Sequence, residues 1–503
     1  MPDRVEFRLT LPAAISTPSQ LDPEAPFRLL IIADFSGRAA GGALAAEIDW
    51  THHRPLPVDT DHFDSVMSRL APKLRLSLDG EMAETTLIHF KALDDFHPDA
   101  LCRQLACLQT LCHSLTHPPT SADLAKAARL NPSPSVATAN PSPSAEEDNE
   151  ALLGRLLGRT SNNAKVRTGS DVAAIDGLLK AIVQPHLVHT DQQQAAWLAA
   201  TEAFLGERLR AILHHPAFQA LEATWRSTYD LVAQVDSDAV QIELFDMTRQ
   251  EWLADLRAAD YDPRATRLYS ILIEQGLRCP GGSPWSLWVG DYAFGATPED
   301  ITLLASLGVL AAEAGGPFLA GAAPSLLGCS APEHLTDPTL WTPLPAEHQH
   351  SWRALRTSPI APWLGLVMPR ILLRLPYGKK TDPIDQCSFE EMPSGRDPDR
   401  YLWGNPAFSC ARLIADGFID NGYEHGLNAA LALDNLPVHL YEQAGERAVQ
   451  SGVETLLGEQ AALSVLAHGI MPILADRRRN SARLAGFQSL ADPPAELAGR
   501  WKI

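Results

Sequence analysis

The chain has 503 residues, 45% apolar and 20% charged, a composition that fits several globular domains and excludes a fibrous or wholly disordered chain. Forty-one Lys and Arg against 61 Asp and Glu leave a formal charge of −20, and no basic patch stands out to offset it, which argues against general nucleic-acid binding. Seven Cys, an odd number without a CxxC pair or a Cys/His ligand block, predict reduced, mostly buried thiols rather than a disulfide framework or a zinc site.

The first residues, Met1 to Phe7, lack the charged-then-apolar layout of a signal peptide. Val5-Glu6-Phe7-Arg8-Leu9 alternates apolar and polar residues, as a half-buried or edge strand does. Phe27–Ala33 is a nearly continuous apolar run, which predicts a central strand ending at the turn Asp34-Phe35-Ser36-Gly37. Asp61 is placed to cap a helix carrying Phe63, Val66, Met67 and Leu70. Strands at Leu74–Leu78 and Thr85–Phe90 and a helix over about Pro98–Leu115 complete a small α/β domain, residues 1–115.

Residues 116–170 change character. Pro118-Pro119, Asn131-Pro132-Ser133-Pro134 and Asn140-Pro141-Ser142-Pro143-Ser144 predict a Pro/Ser-rich linker, with one short helix around Leu152–Leu157. Residues 171–503 then read as a larger mixed α/β domain with an N-terminal helical portion. Helical stripes run through Ile175–Val183, Trp197–Leu213 and Phe218–Tyr229. Strand-like runs at Val240–Phe245, Trp285–Val289 and Phe318–Ala322, a helix near Asp300–Ala314, a buried segment at Leu364–Leu375 and a helix at Arg412–Phe418 follow. The most apolar window, Leu303–Gly328, is cut by Gly315-Gly316-Pro317 and Pro324, whereas a lipid-spanning helix needs about 20 unbroken apolar residues. The expectation is a soluble, cytoplasmic α/β protein without direct membrane insertion.

The catalytic ledger is nearly empty. No GxSxG, HExxH, GxxxxGK or GxGxxG pattern occurs. Glu347-His348-Gln349-His350 reads as a solvated loop rather than a metal site, and His214-His215-Pro216 as the capped end of a helix. Asp59, Asp61 and Asp64 resemble half a calcium loop but lack its glycine and distant Glu. Asp34 and Asp291 each follow a strand, where α/β enzymes keep catalytic groups. The alternative for each is a cap or a bond to turn amides. The expectation is therefore no enzyme, no catalytic residue, no metal, no cofactor and no small-molecule substrate.

Several segments, taken in order, carry a resemblance. Pro26–Arg38, Asp61–Met67 with Leu70-Ala71-Pro72, and Leu93–Asp99 resemble three motifs of the small contractile-sheath subunit of type VI secretion systems. His214–Arg226, Val289–Phe294, Pro324–Gly328, Trp352–Arg356, Pro369–Gly378, Phe389-Glu390-Glu391 and Tyr401–Phe408 are similar to ordered motifs of the large sheath subunit. The resemblance implies a fusion of a small-subunit-like part with a large-subunit-like part that stops at Ile503, ahead of the family's C-terminal strand-joining segment. It implies a non-enzymatic sheath-like component that docks on sheath subunits or baseplate proteins and caps or limits polymerisation. A fused protomer that itself polymerises, and an enzyme or ligand-binding module on a recruited sheath fold, are the alternatives. Strand lending at a sheet edge makes Val5, Glu6, Phe7, Arg8 and Leu9 the expected interface. Trp225, Trp403 and Phe408 are expected in the core.

Overall fold

The structure, a computed structural model, describes residues 26–41, 50, 53–77, 85–118, 190–280, 282–424, 427, 431–443, 445–476 and 480–501. The expected strand Val5–Leu9, the helical segments at Leu152–Leu157 and Ile175–Val183, and residues 119–170 of the expected linker lie outside the described residues. The first part of the chain contributes β1 (Phe27–Ala33), β2 (Leu56–Val58), α1 (Phe63–Leu70), β3 (Lys73–Ser77), β4 (Thr85–His89), α2 (Pro98–Gln104) and α3 (Ala106–Thr116). Next come α4 (Thr190–Leu213), α5 (Pro216–Gln234), β5 (Val240–Asp246), α6 (Arg249–Ala258), β6 (Leu287–Phe294), α7 (Pro298–Ala314) and β7 (Phe318–Ala322). The remainder supplies α8 (Ala346–Arg356), β8 (Leu364–Met368), β9 (Ile371–Leu372), β10 (Trp403–Gly404), α9 (Pro406–Asn421) and β11 (Ala432–Leu433). It ends with β12 (His439–Gln443), β13 (Glu446–Gln450), α10 (Glu459–Ala467), β14 (Ile470–Ala475) and β15 (Ala482–Leu484).

The chain falls into two units, Met1–Leu101 with Arg208–Ile503, and Cys102–Glu207. In the first, nine strands form one sheet in the order β11-β15-β14-β8-β7-β6-β1-β5-β2. β1 pairs in parallel with β5 from Phe27↔Val240 to Ala33↔Asp246, and with β6 from Leu29↔Leu287 to Ile32↔Gly290. The apolar run that reads as a central strand is thus an inner strand of a sheet whose other inner strands come after residue 239. Parallel strands covered on both faces need such continuous apolar sequences. Leu30 and Ile32 share one core with Phe245, Trp288, Phe294, Phe318 and the buried face of α7. α9 packs across β6, β7 and β8 and against α5.

Trp225 of α5 is fully buried. It donates its indole N–H to the Phe35 carbonyl at 2.9 Å and meets the rings of Phe35 and Phe63 edge-on. Trp403 and Phe408 are buried as expected. Gly37, at φ 73°, turns the chain after β1 where an added Cβ would lie 2.9 Å from the Lys73 carbonyl. In the second unit, α3 buries Leu108, Leu111 and Cys112, and Trp197 of α4 is buried.

Several local expectations need correction. The residue before α1 is His62, not Asp61, and its side chain makes no capping bond; Asp59 instead accepts from the His62 amide at 2.8 Å. The helix expected over Pro98–Leu115 is two helices, divided at Leu105, whose backbone is extended. Glu347–His350 is the first turn of α8 rather than a loop, because Trp352 and Leu355 give that segment an apolar face to bury. Gly290 and Asp291 lie within β6, not after it.

Candidate functional site

A cleft of about 620 Å³ opens at the carboxyl ends of β1, β6, β7 and β8. Here the strand order reverses, with β5 on one side of β1 and β6 on the other, the place where open α/β sheets bind ligands. Its polar groups already have partners within the chain. Asp34 accepts from the amides of Arg38 at 2.9 Å and Ala39 at 2.8 Å; burial raises its pKa against those bonds. Asp291 accepts from the Thr224 hydroxyl at 2.6 Å, and burial pushes its carboxyl above the usual range. Asn405 donates to the Gly290 and Tyr292 carbonyls, and Arg249 is paired with Asp300. Asp34 therefore follows the turn-amide alternative, whereas Asp291 is tied to α5 through Thr224 instead of capping a helix. The polar groups named here are thus held in fixed contacts within the chain, the Thr224 hydroxyl by the Asp291 carboxylate among them.

The strongest electrostatics lie elsewhere. Arg374, after β9, reaches Glu222 of α5 at 2.8 Å and Glu391 at 2.8 Å, with both carboxylates fully buried. Arg226 pairs with Glu222 at 2.7 Å and donates to the Tyr377 hydroxyl at 3.2 Å, while His214 Nε2 stands 3.3 Å from Glu391. Burial opposes the charge on Glu391, but the adjacent Arg374 guanidinium overcomes it and lowers the pKa to about 2. The cluster fastens the irregular segment after Arg374 to α5. The Asp99 carboxylate adds a tether, accepting from the Asp385 and Gln386 amides at 3.1 Å each. None of this was visible as a motif, since the members come from positions 214 to 391 without a fixed spacing. The only local signal was Glu222-x-x-x-Arg226, an i, i+4 pair.

His215 is an N-cap of α5, with its Nδ1 accepting from the Ala217 amide at 3.2 Å, rather than a charge at the end of α4. Asp59 and Asp61 of the half calcium loop lie at the exposed start of α1. Among the described residues no group of three or more His, Cys, Asp or Glu is placed to hold a metal ion. No helix among them is long and apolar enough to cross a membrane.

A hairpin, β12–β13, stands outside the main sheet and pairs His439–Gln443 with Glu446–Gln450. Its cross-strand neighbours Leu440 and Val449 are both exposed. The nine-stranded sheet itself ends in β2, three residues with Pro57 in the middle, and in the two-residue β11.

Comparison with known proteins adds two family matches. Residues 195–491 match the family VipB, described as EvpB/VC_A0108, tail sheath N-terminal domain. Residues 8–117 match the family described as type VI secretion system, VipA, VC_A0107 or Hcp2. One similar curated protein is the type VI secretion system sheath protein TssC1 of Pseudomonas aeruginosa, 30% identical over 324 residues. That alignment covers 62% of this chain and 65% of the relative, so the chain spans a little under two thirds of that protein's length.

Proposed function

Because the chain belongs to the tail-sheath family and joins a small-subunit-like region to a large-subunit-like one, we propose that it serves a type VI secretion machine as a non-enzymatic, sheath-like structural component. It docks on sheath subunits or baseplate proteins in the cytoplasm and limits polymerisation rather than forming the repeating tube. The observation that carries the reading is the shared sheet, in which β1 from the VipA-like region is clasped between β5 and β6 of the rest. One polypeptide thereby holds both halves of a sheath-like core. The blunted sheet ends favour a limiting role. A three-residue strand containing Pro and a two-residue strand are poor templates for adding another chain edge to edge.

The second reading is a fused protomer that polymerises. The same union of both regions in one core favours it. In either case the alternating segment Val5–Leu9 is the proposed docking strand, its main chain pairing with a neighbour's sheet while Val5, Phe7 and Leu9 share one face. The test is binding of the purified chain to the small and large sheath subunits of the same organism. Deleting residues 1–12 is expected to abolish binding and leave the melting temperature nearly unchanged. Undiminished binding would remove the docking role from this strand, and a collapsed melt would place the strand in the protein's own core.

A further inference from the structure

The hairpins β3–β4 and β12–β13 both lie outside the nine-stranded sheet, and their outer faces differ. In β3–β4 the buried Leu74, Leu76 and Ile88 turn inward, and the outer face carries Lys73, Arg75, Ser77 and His89, with Leu87 opposite Arg75. That is an ordinary solvated face. In β12–β13 the inward residues are His439 and Gln450. The Tyr401 hydroxyl sits 2.7 Å from His439 Nδ1, and Arg396 donates through Nε to Gln450 Oε1 at 2.7 Å. Alternation along each strand sends Leu440, Glu442, Arg447 and Val449 to the opposite face. There Leu440 is 69% exposed and Val449 58% exposed, directly opposite each other in one cross-strand pair.

The next pair on that face, one step toward the turn, is Glu442 with Arg447, both exposed. Among the described residues Arg447 has no ion pair, and Glu442 reaches only the exposed Lys380, at 4.0 Å. The face is therefore a row of two apolar side chains followed by a row of one acid and one base. A two-fold axis parallel to the strands, lying above this face, brings β12 of one copy over β13 of another. Leu440 then meets Val449 of the second copy, and Glu442 meets Arg447 of the second copy. Each contact occurs twice, as a closed two-fold interface requires. The face is its own complement, apolar against apolar and acid against base.

We propose that the outer face of β12–β13 docks on the same face of a second copy of this chain, forming a closed two-fold dimer. The charges select the occupant. A foreign partner would have to carry an acid and a base at the matching spacing and in reversed order, whereas a second copy supplies both by symmetry. One two-stranded face is small against the roughly 1,200–2,000 Å² of a stable interface, so the dimer is weak and forms as concentration rises. The apolar pair supplies the driving force, and the facing charges fix which strand lies over which. The inference goes beyond the sheath reading and does not use the docking strand Val5–Leu9.

The experiment is sedimentation velocity over a concentration series, comparing the full chain with Glu442→Arg, Arg447→Glu and the double reversal. The wild type is expected to pass from monomer to dimer as concentration rises. Each single reversal sets like charges face to face across the axis and should weaken dimerisation about tenfold or more. The double reversal restores an acid opposite a base and should dimerise as the wild type does. The deciding arm mixes the two single variants. Glu442→Arg presents two cations and Arg447→Glu two anions, so the mixture should form the heterodimer that neither forms alone. Recovery on mixing also shows that the hairpin is still folded in both variants. Leu440→Ser combined with Val449→Ser should abolish the dimer and leave the melting temperature nearly unchanged, because both side chains are exposed. A wild type that stays monomeric at every concentration overturns the proposal. So does a dimer untouched by the single reversals, or single variants that stay monomeric when mixed. A monomeric wild type whose binding to sheath subunits is lost in the double Ser variant would assign the face to a different protein and also overturn it. The sheath reading is judged by subunit binding alone and survives a failure of the dimer.

Discussion

Two carboxylates, one half-buried and one fully buried, are driven in opposite directions. Asp291, in the wall of the cleft, has a hydroxyl and an amide for partners and no cation, and burial raises its pKa. Glu391 is shielded more completely than the half-buried Asp291, yet Arg374 lies 2.8 Å away and its pKa falls to about 2. What separates them is the cation, since the more deeply buried acid is the one held charged. Where the chain supplies one, a buried acid becomes a joint between distant segments. Where it does not, the acid is tolerated only through neutral donors.

The pH limbs follow from the signs. The folded pKa of Glu391 lies below its ordinary value of 4.5, so its contribution is present above that value and is lost as pH falls toward about 2. The folded pKa of Asp291 lies above its ordinary value of 3.8, so the penalty of ionising it in place grows as pH rises from 3.8 through the folded value. The most damaging way to break the comparison is Arg374→Met, which strands Glu222 and Glu391 together. It should cost about 5 kcal/mol, the upper end for one partner of a buried pair, in urea titrations at neutral pH. Trp225→Ala probes the cleft side, where ring packing rather than charge holds α5 to the N-terminal region; about 3–5 kcal/mol is expected, read as a lower melting temperature. Glu391→Gln should cost less than Arg374→Met, and the acid limb of a stability-against-pH curve should flatten between pH 4.5 and about 2. Asp291→Asn should change stability at pH 7 by less than about 1 kcal/mol or raise it, because an amide also bonds the Thr224 hydroxyl without the ionisation penalty. A large loss there would mean that the charged form is needed.

The sequence made some of this readable and hid the rest for physical reasons. Phe27–Ala33 and Phe318–Ala322 were legible to the residue because parallel strands buried on both faces must be apolar throughout. The strand expected at Leu74–Leu78 was found one residue out of register with the expectation, at Lys73–Ser77, with Leu74 and Leu76 buried. That β1 lies between strands beginning at Val240 and Leu287 was not legible, because parallel pairing across more than 200 residues leaves no local mark. His214-His215-Pro216 was placed correctly at a helix boundary, but the proline that permits α5 to start also turned His215 into its cap. The Arg374 cluster depends on which side chains tertiary folding brings together. No spacing rule reaches it.

In the proposed role, one chain carries both halves of a sheath-like core and limits the sheath rather than building it. Electron microscopy of the purified chain, alone and mixed with the small and large sheath subunits of the same organism, tests this most directly. The account predicts discrete particles from the chain alone and, in the mixture, sheath-like tubes that are shortened or closed by it at one end. Long tubes assembled from the chain alone would contradict it.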